Sequence, residues 1–446
     1  MPRPGTGARL FLAALVIYAA CPPFTSYDSY YTVPTALALI HHGTTAVDAW
    51  VPSAPPVSYY ALECVPPHGP AIPYADAAGC PGGHWYNFYP VAVGVIAAPL
   101  VLLIQAATTA TGALVAGPVH HIPQPIIAAF LSGDLVGGHA LVELCCAALF
   151  GALAVWVQYR IASLFLDSRQ AVCLTLLFAF GTAEWSIASR NLFQHGLSEL
   201  LLSIALYIAL LARERDSGLI RLAALPLALA FTVRPSNAVS VAAFTLYVAV
   251  HCRRWLLQFI LAALPIAVLF FSYNLTSRHA LLPRYFYAGP ERYPALLGLA
   301  MHLISPSRGL LVFAPVFVFS IAGMVLAWRK RWLFPLSPYL IAIVVLHTAL
   351  IASVWEGHCY GPRYFADITH LFTFFLVPVM LYWTHQQVRF RAALAGFFLI
   401  AAAWGVFTNA RGATSIAANQ WRAIPATPDA KARVWDWRDP QFLRGL

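Results

Sequence analysis

One carboxylate interrupts an otherwise uncharged stretch near the amino end. It is Asp28, in Thr25-Ser26-Tyr27-Asp28-Ser29-Tyr30-Tyr31, just past the apolar run at 10–24. The chemistry open to such a group is proton abstraction from a hydroxyl. Keeping a charge this close to lipid is costly, which makes Asp28 a functional candidate by default. A plainer reading competes with it. A carboxylate accepting backbone N–H groups is a favoured helix start, and a periodic apolar segment follows directly.

The remaining polar chemistry falls between apolar runs. Asp48, His68, Asp76, His84, Tyr86 and Asn87 lie in the first large loop, and Glu184, Arg190, Asn191 and His195 flank a shorter turn. Later come Asn274, Arg278, Arg284, Tyr285, Arg292, Ser305 and Arg308, then Trp355, Glu356, His358, Tyr360, Arg363 and Tyr364. Several arginines aimed at one phosphate would bind it through charge-assisted, bidentate hydrogen bonds, and aromatic rings would support a sugar. Taken singly, an interfacial Arg snorkels and an interfacial Trp or Tyr is commonplace. Their convergence on one membrane face is what argues for a site.

Other chemistries are not supported. The pairs His41-His42 and His120-His121 are adjacent rather than spaced by a helical turn, no HExxH occurs, the glycines form no P-loop, and the eight cysteines make no CxxC. Cys64 and Cys80 alone share the first large loop, so a disulfide is expected there if the loop faces an oxidising compartment.

The elements that must carry these residues are membrane helices. With 446 residues, 60% hydrophobic and 10% charged, and a mean hydropathy of +0.70, the chain is expected to be an all-α polytopic membrane protein, one integral-membrane domain over 1–446. Net charge +10 raises nucleic acid as a partner. The basic residues instead sit mainly in short gaps between apolar runs, as the positive-inside bias and anionic lipid or phosphate partners require, so no nucleic acid is expected. All are Arg except Lys330 and Lys431, and the planar Arg fork suits phosphate.

Arg3 and Arg9 precede the first apolar run, and no further Lys or Arg appears until Arg160. A cytoplasmic loop in that gap would lack its basic residues, so 25–138 is expected to be mainly an outer loop. Counting back from the later Arg clusters gives the same parity, with the amino end inside and the tail 409–446 outside, as a lid or simply packed there. Residues 29–42 are too short to span. They should form a helix lying on the outer surface: Val33, Leu37 and Ile40 share a face, Pro34 fits the first turn and Gly43 can terminate it. The run 89–117, with Pro99 inside it, is expected as a second juxtamembrane or re-entrant helix. The spans are then 10–24, 139–160, 171–186, 196–212, 219–234, 237–250, 256–273, 309–328, 335–353, 369–384 and 391–408, about eleven by the length rule.

Several stretches carry a family resemblance. They are Ser26-Tyr27-Asp28-Ser29-Tyr30, Trp85-Tyr86-Asn87-Phe88-Tyr89-Pro90, Arg190-Asn191-Leu192-Phe193-Gln194-His195, Ser305-Pro306-Ser307-Arg308-Gly309-Leu310-Leu311 and Trp355-Glu356-Gly357-His358-Cys359-Tyr360-Gly361-Pro362-Arg363-Tyr364. Together they resemble the GT-C membrane glycosyltransferases of the protein-mannosyltransferase and aminoarabinose-transferase type. The resemblance implies a GT-C-like bundle with outer juxtamembrane helices, and inverting transfer of a sugar from a polyprenyl phosphate to a lipid, glycan or protein acceptor. It makes the first-loop Asp28 the base. Many members have two adjacent acids in this loop, whereas here Ser29 follows Asp28; an obligatory divalent metal is therefore in doubt, and no cofactor is firmly predicted.

In that mechanism Asp28 takes the acceptor proton while charge grows on the departing lipid phosphate. Arg308 and Arg363 are the first choices to stabilise it, with Arg190 and Arg284 next, because donors aimed at developing charge lower the barrier. His195, Glu356, Tyr86, Asn87 and Tyr360 are expected to orient substrate. Asp48 is a second acid or only a loop cap. The expected setting is a bacterial cytoplasmic (inner) membrane, with the active site periplasmic. A transporter or flippase of lipid-linked sugars is the competing class, for which Glu143 and Glu199 are the deep acids to watch; a noncatalytic envelope scaffold is the third.

Overall fold

The computed structural model describes residues 5–23, 25–26, 28–119, 124–215, 217–288, 291–355, 359–383, 387–421 and 430–446. Helix accounts for 72% of the chain and strand for almost none. The protein is an all-α polytopic membrane protein. Six helices are long and apolar enough to cross a membrane, and six shorter apolar ones accompany them among the described residues.

The first helix, α1 (Thr6–Ala19), leads through the Asp28 loop to α2 (Thr32–His42). As the sequence suggested, Pro34 lies in the first turn of α2, and Gly43 closes it in the left-handed region at φ 64°, a conformation that costs glycine nothing. The loop after α2 contains what hydropathy did not reveal, a small antiparallel sheet ordered β2-β1-β3 from β1 (Leu62–Val65), β2 (Ile72–Pro73) and β3 (His84–Asn87). Cys64 pairs with Ile72 on one side and Trp85 on the other, and a disulfide joins Cys64 to Cys80.

Helix α3 (Ala92–Val119) packs along α2 and runs 28 residues without a break. A helix is what the sequence predicts for this run, as a second juxtamembrane or re-entrant one. By length and composition residues 92–112 are sufficient to cross a membrane, and Pro99 is accommodated within the one helix. The short α4 (Pro125–Leu131) then leads to α5 (His139–Ala162), which packs on α1.

From here the spans follow the apolar runs. Asp167 opens α6 (Ser168–Gly181) with a capping box, its Oδ1 accepting from the amides of Arg169 at 2.8 Å and Gln170 at 2.9 Å. A π-helical turn at Glu184–Ala188 precedes α7 (Gln194–Glu214). Helix α8 (Ala224–Val233) stops where Arg234 turns extended before Pro235, as a residue preceding proline prefers, and α9 (Ala238–His251) and α10 (Leu256–Arg278) follow. Two short helices, α11 (Tyr285–Ala288) and α12 (Ala295–Ile304), cross the next loop. The run expected at 309–328 is split into α13 (Leu310–Phe313) and α14 (Phe317–Arg329) around Pro315, which has no N–H to give a helix.

After α15 (Leu336–Ile351), a 3-10 segment at Arg363–Ile368 feeds α16 (Thr369–Phe374) and α17 (Leu376–Trp383), and α18 (Val388–Thr414) precedes the tail. Burial sorts these helices. The segments 139–162, 194–214 and 363–383 are mostly buried, whereas 253–278 and 391–414 expose most of their apolar side chains and so form the lipid-facing wall.

Candidate active site

The Asp28 loop is held from below. Glu143 on α5 accepts the Ser29 hydroxyl at 2.5 Å and the Leu192 amide at 3.4 Å, both on Oε2. The guanidinium of Arg190 donates to the Pro22 carbonyl. A deep acid flagged as a transport candidate is thus engaged in pinning the residue beside Asp28.

Asp28 does not cap α2. The N-cap is Tyr31, and no side chain caps that helix. Its carboxylate is spent elsewhere: Oδ2 meets Nη1 of Arg363 at 2.6 Å and Oδ1 accepts the hydroxyl of Tyr60. Arg363 can reach it because Gly361, at φ 55°, turns the chain sharply before Pro362. Burial by itself would raise the Asp28 pKa. The Arg363 charge and the hydrogen bonds from Tyr60, Arg363 and Tyr89 outweigh it, and the carboxyl lies below its ordinary value. Burial and the adjacent carboxylate push the Tyr60 phenol up, so Tyr60 stays a donor.

A second charged group stands directly behind the first. Arg234 forms an ion pair with Oδ2 of Asp367 at 2.8 Å, and His195 Nδ1 lies 3.1 Å from Oδ1. Arg234 also donates to His195 Nε2 at 3.2 Å, which assigns the histidine as a neutral Nδ1–H tautomer. Both ring nitrogens of His195 are therefore engaged by protein, in place of the sugar hydroxyls expected for it. The Tyr364 ring lies between the two groups, 5.4 Å from the Arg234 guanidinium and 5.5 Å from that of Arg363. Arg284 extends over Phe88 at 5.2 Å, beside Tyr285, whose ring meets Tyr89 at 5.3 Å.

Other residues singled out from the sequence build the walls. Arg308 is fully buried and donates to Gln441 Oε1 at 3.0 Å and to the Ser307 carbonyl at 2.7 Å, which fastens the tail. Gln441 also accepts from the Gly361 amide at 3.0 Å and donates to the Cys359 carbonyl at 2.9 Å, so the tail packs on the Ser305–Leu311 and 359–364 stretches together. Tyr360 donates to the Thr408 carbonyl at 2.5 Å. Tyr86 lies under Arg278 at 4.5 Å, and the Asn87 carbonyl accepts from that Arg at 3.1 Å. Arg278 is paired with the buried Glu63, tying the sheet to α10. Asp48 clips the loop, accepting from the Trp85 amide at 2.8 Å and meeting His84 at 3.0 Å. Glu356 lies outside the described residues.

Sequence reasoning missed Tyr60, Tyr89, Arg234 and Asp367. For the last two a signal existed, since a lone charge inside an apolar run is itself a pointer to function. Tyr89 stood inside the Trp85–Pro90 stretch without being singled out, and Tyr60 had no signal, being one tyrosine among 20. Among the described residues no group of three or more His, Cys, Asp or Glu surrounds a common point that could hold a metal.

Comparison with known proteins adds one match. Residues 123–276 fit the family model of the dolichyl-phosphate-mannose-protein mannosyltransferases. The chain is thus similar to GT-C-like glycosyltransferases. The match supports a membrane glycosyltransferase of the GT-C type. It takes in Arg190, His195 and Arg234 but neither Asp28 nor Arg363. Neither the curated proteins nor the solved structures hold a significant match to the chain.

Proposed function

We propose that this GT-C-like glycosyltransferase moves a sugar, with inversion, from a polyprenyl phosphate to an acceptor hydroxyl at the periplasmic face of a bacterial inner membrane. The reading is carried by one observation, the contact of Asp28 with Arg363 at 2.6 Å in a partly exposed position. Inverting transfer needs a base for the hydroxyl and a cation for the leaving phosphate. This pair supplies both.

In the step, the acceptor oxygen bonds to the anomeric carbon as its proton passes to Asp28. The bond from that carbon to the phosphate oxygen breaks, and the polyprenyl phosphate leaves with the electron pair. Arg363 turning towards the phosphate stabilises that charge. The same movement weakens its hold on Asp28, so the carboxylate becomes a stronger base when the donor is in place. Arg284 stands second in line for the phosphate. Arg234, Asp367 and His195 fix the Tyr364 ring and the segment that carries Arg363. The outer placement of 25–138 and of the tail rests on the distribution of Arg clusters along the chain.

The test is single-turnover sugar transfer by Asp28→Asn protein, using polyprenyl-phosphate sugars as donors. The chemical step should fall by about 10²- to 10⁴-fold with donor binding retained. Transfer at the wild-type rate would remove Asp28 as the base, and movement of intact donor across the membrane by wild type would favour a transporter.

A further inference from the structure

Tyr60 lies on a short 3-10 turn, Pro56–Ala61, at the start of β1. Its neighbours are anchored: Ser58 Oγ lies 3.0 Å from the Tyr31 hydroxyl, and the Tyr59 ring lies 4.5 Å from that of Tyr74. Tyr60 itself is 53% exposed, and its hydroxyl reaches inward to donate to Oδ1 of Asp28. Oδ2 of the same carboxylate is taken by Arg363, which is itself largely buried. Of the three groups that bond this carboxylate, Arg363, Tyr89 and Tyr60, only Tyr60 is exposed, so its hydroxyl stands on the solvent side.

We infer that Tyr60 holds the place of the acceptor hydroxyl and must vacate it before transfer. The inference rests on the reading of Asp28 as the base. An attacking alcohol must donate its proton to an Asp28 oxygen from hydrogen-bond distance. A phenol O–H bonded to that oxygen copies the contact, so the Tyr60 hydroxyl must leave Oδ1 before an acceptor hydroxyl can take its place. Since half of the ring is in solvent and the anchors belong to Ser58 and Tyr59, the Tyr60 side chain can swing out without unpacking the loop. Until an acceptor displaces it, Tyr60 keeps water from the base and so protects the bound donor from hydrolysis. Tyr60 is a positioning residue that decides what reaches Asp28.

The experiment uses the full chain in lipid nanodiscs and compares wild type with Tyr60→Phe, which keeps the ring. The first measurement needs no donor. A water-soluble carbodiimide with glycine ethyl ester forms an amide at accessible carboxyls, and mass spectrometry reads the rate at Asp28. Tyr60→Phe should be labelled about tenfold faster, a size set by losing one charge-assisted hydrogen bond. The second follows mannose released to water from polyprenyl-phosphate mannose without acceptor, which should rise in Tyr60→Phe and vanish when Asp28→Asn is added. Equal or slower labelling of Tyr60→Phe overturns the inference, as does a fall in mannose release. Faster labelling together with wild-type transfer by Asp28→Asn would leave Tyr60 covering Asp28 but sink the base reading beneath it.

Discussion

Arg363 and Asp367 sit at nearly opposite ends of one short 3-10 segment, and each reaches a partner of opposite sign: Arg363 the carboxylate of Asp28, Asp367 the guanidinium of Arg234. One turn of chain thus joins a partly exposed ion pair to a buried one. The buried pair holds the turn that presents Arg363 to Asp28.

The two arginines first singled out for the phosphate should separate on substitution. Arg363→Lys is expected to slow the chemical step, since a compact ammonium cannot meet both carboxylate and phosphate as a planar fork does. Arg308→Lys should leave chemistry nearly intact but loosen the tail, costing roughly 1–3 kcal/mol because a compact ammonium does not reproduce the guanidinium's hydrogen bond to the buried Gln441. Single-turnover rates and limited proteolysis of the tail check the pair. A slowed chemical step with a protected tail in Arg308→Lys would return it to the phosphate site.

The pH dependence follows from the lowered Asp28 pKa. The base form persists until pH falls through a value below the ordinary carboxylate pKa of about 3.9, so kcat/KM should be flat from neutral pH down to that range. The same depression contributes stability that is fully present above the ordinary value and is lost as pH falls through the folded one. Removing Arg363 takes away the largest influence opposing burial and leaves only the hydrogen bonds from Tyr60 and Tyr89, so in Arg363→Gln the acid limb should move to higher pH. An acid limb that stays in place would separate Arg363 from Asp28.

Asp367→Asn leaves Arg234 buried without its counter-charge and should lower stability by roughly 3–5 kcal/mol. Adding Arg234→Met removes the orphaned cation, so the double variant should be more stable than Asp367→Asn alone. Thermal unfolding in detergent measures both. Additive losses would mean that the two side chains act independently.

The disulfide closes a loop with a sequence separation of 16. In the chain-entropy account, replacing both cysteines by Ser should cost this loop about 3 kcal/mol. Protease sensitivity should rise within 62–87 while the spans keep their protection. An equally resistant loop would show that the Glu63–Arg278 pair and the sheet suffice.

How much of this was legible in the chain differs by element. The apolar runs that became α5, α7, α10 and α18 were visible because in lipid every backbone polar group must be satisfied within its own helix, so length and hydropathy almost define a span. The helix after Asp28 was also visible, with its proline and its terminating glycine, as these are local rules. The loop sheet was not. Its strands are two to four residues long and owe their existence to a disulfide, the Asp48 clip and the Glu63–Arg278 pair, which are contacts between distant segments.

The same divide runs through the site. Residue type and place near a span end were enough to single out Asp28 and Arg363, because charge in an apolar chain is costly and rarely kept without use. Partnership was beyond reach. That Arg363 faces Asp28 across 335 residues while Arg308 faces Gln441 depends on which loops the packed helices bring together. That His195 is held by Arg234 and Asp367 depends on the same packing. Hydropathy specifies where each helix lies along the chain, but only the packing of helix on helix decides which ends meet, and a base and a cation form one site only where they meet.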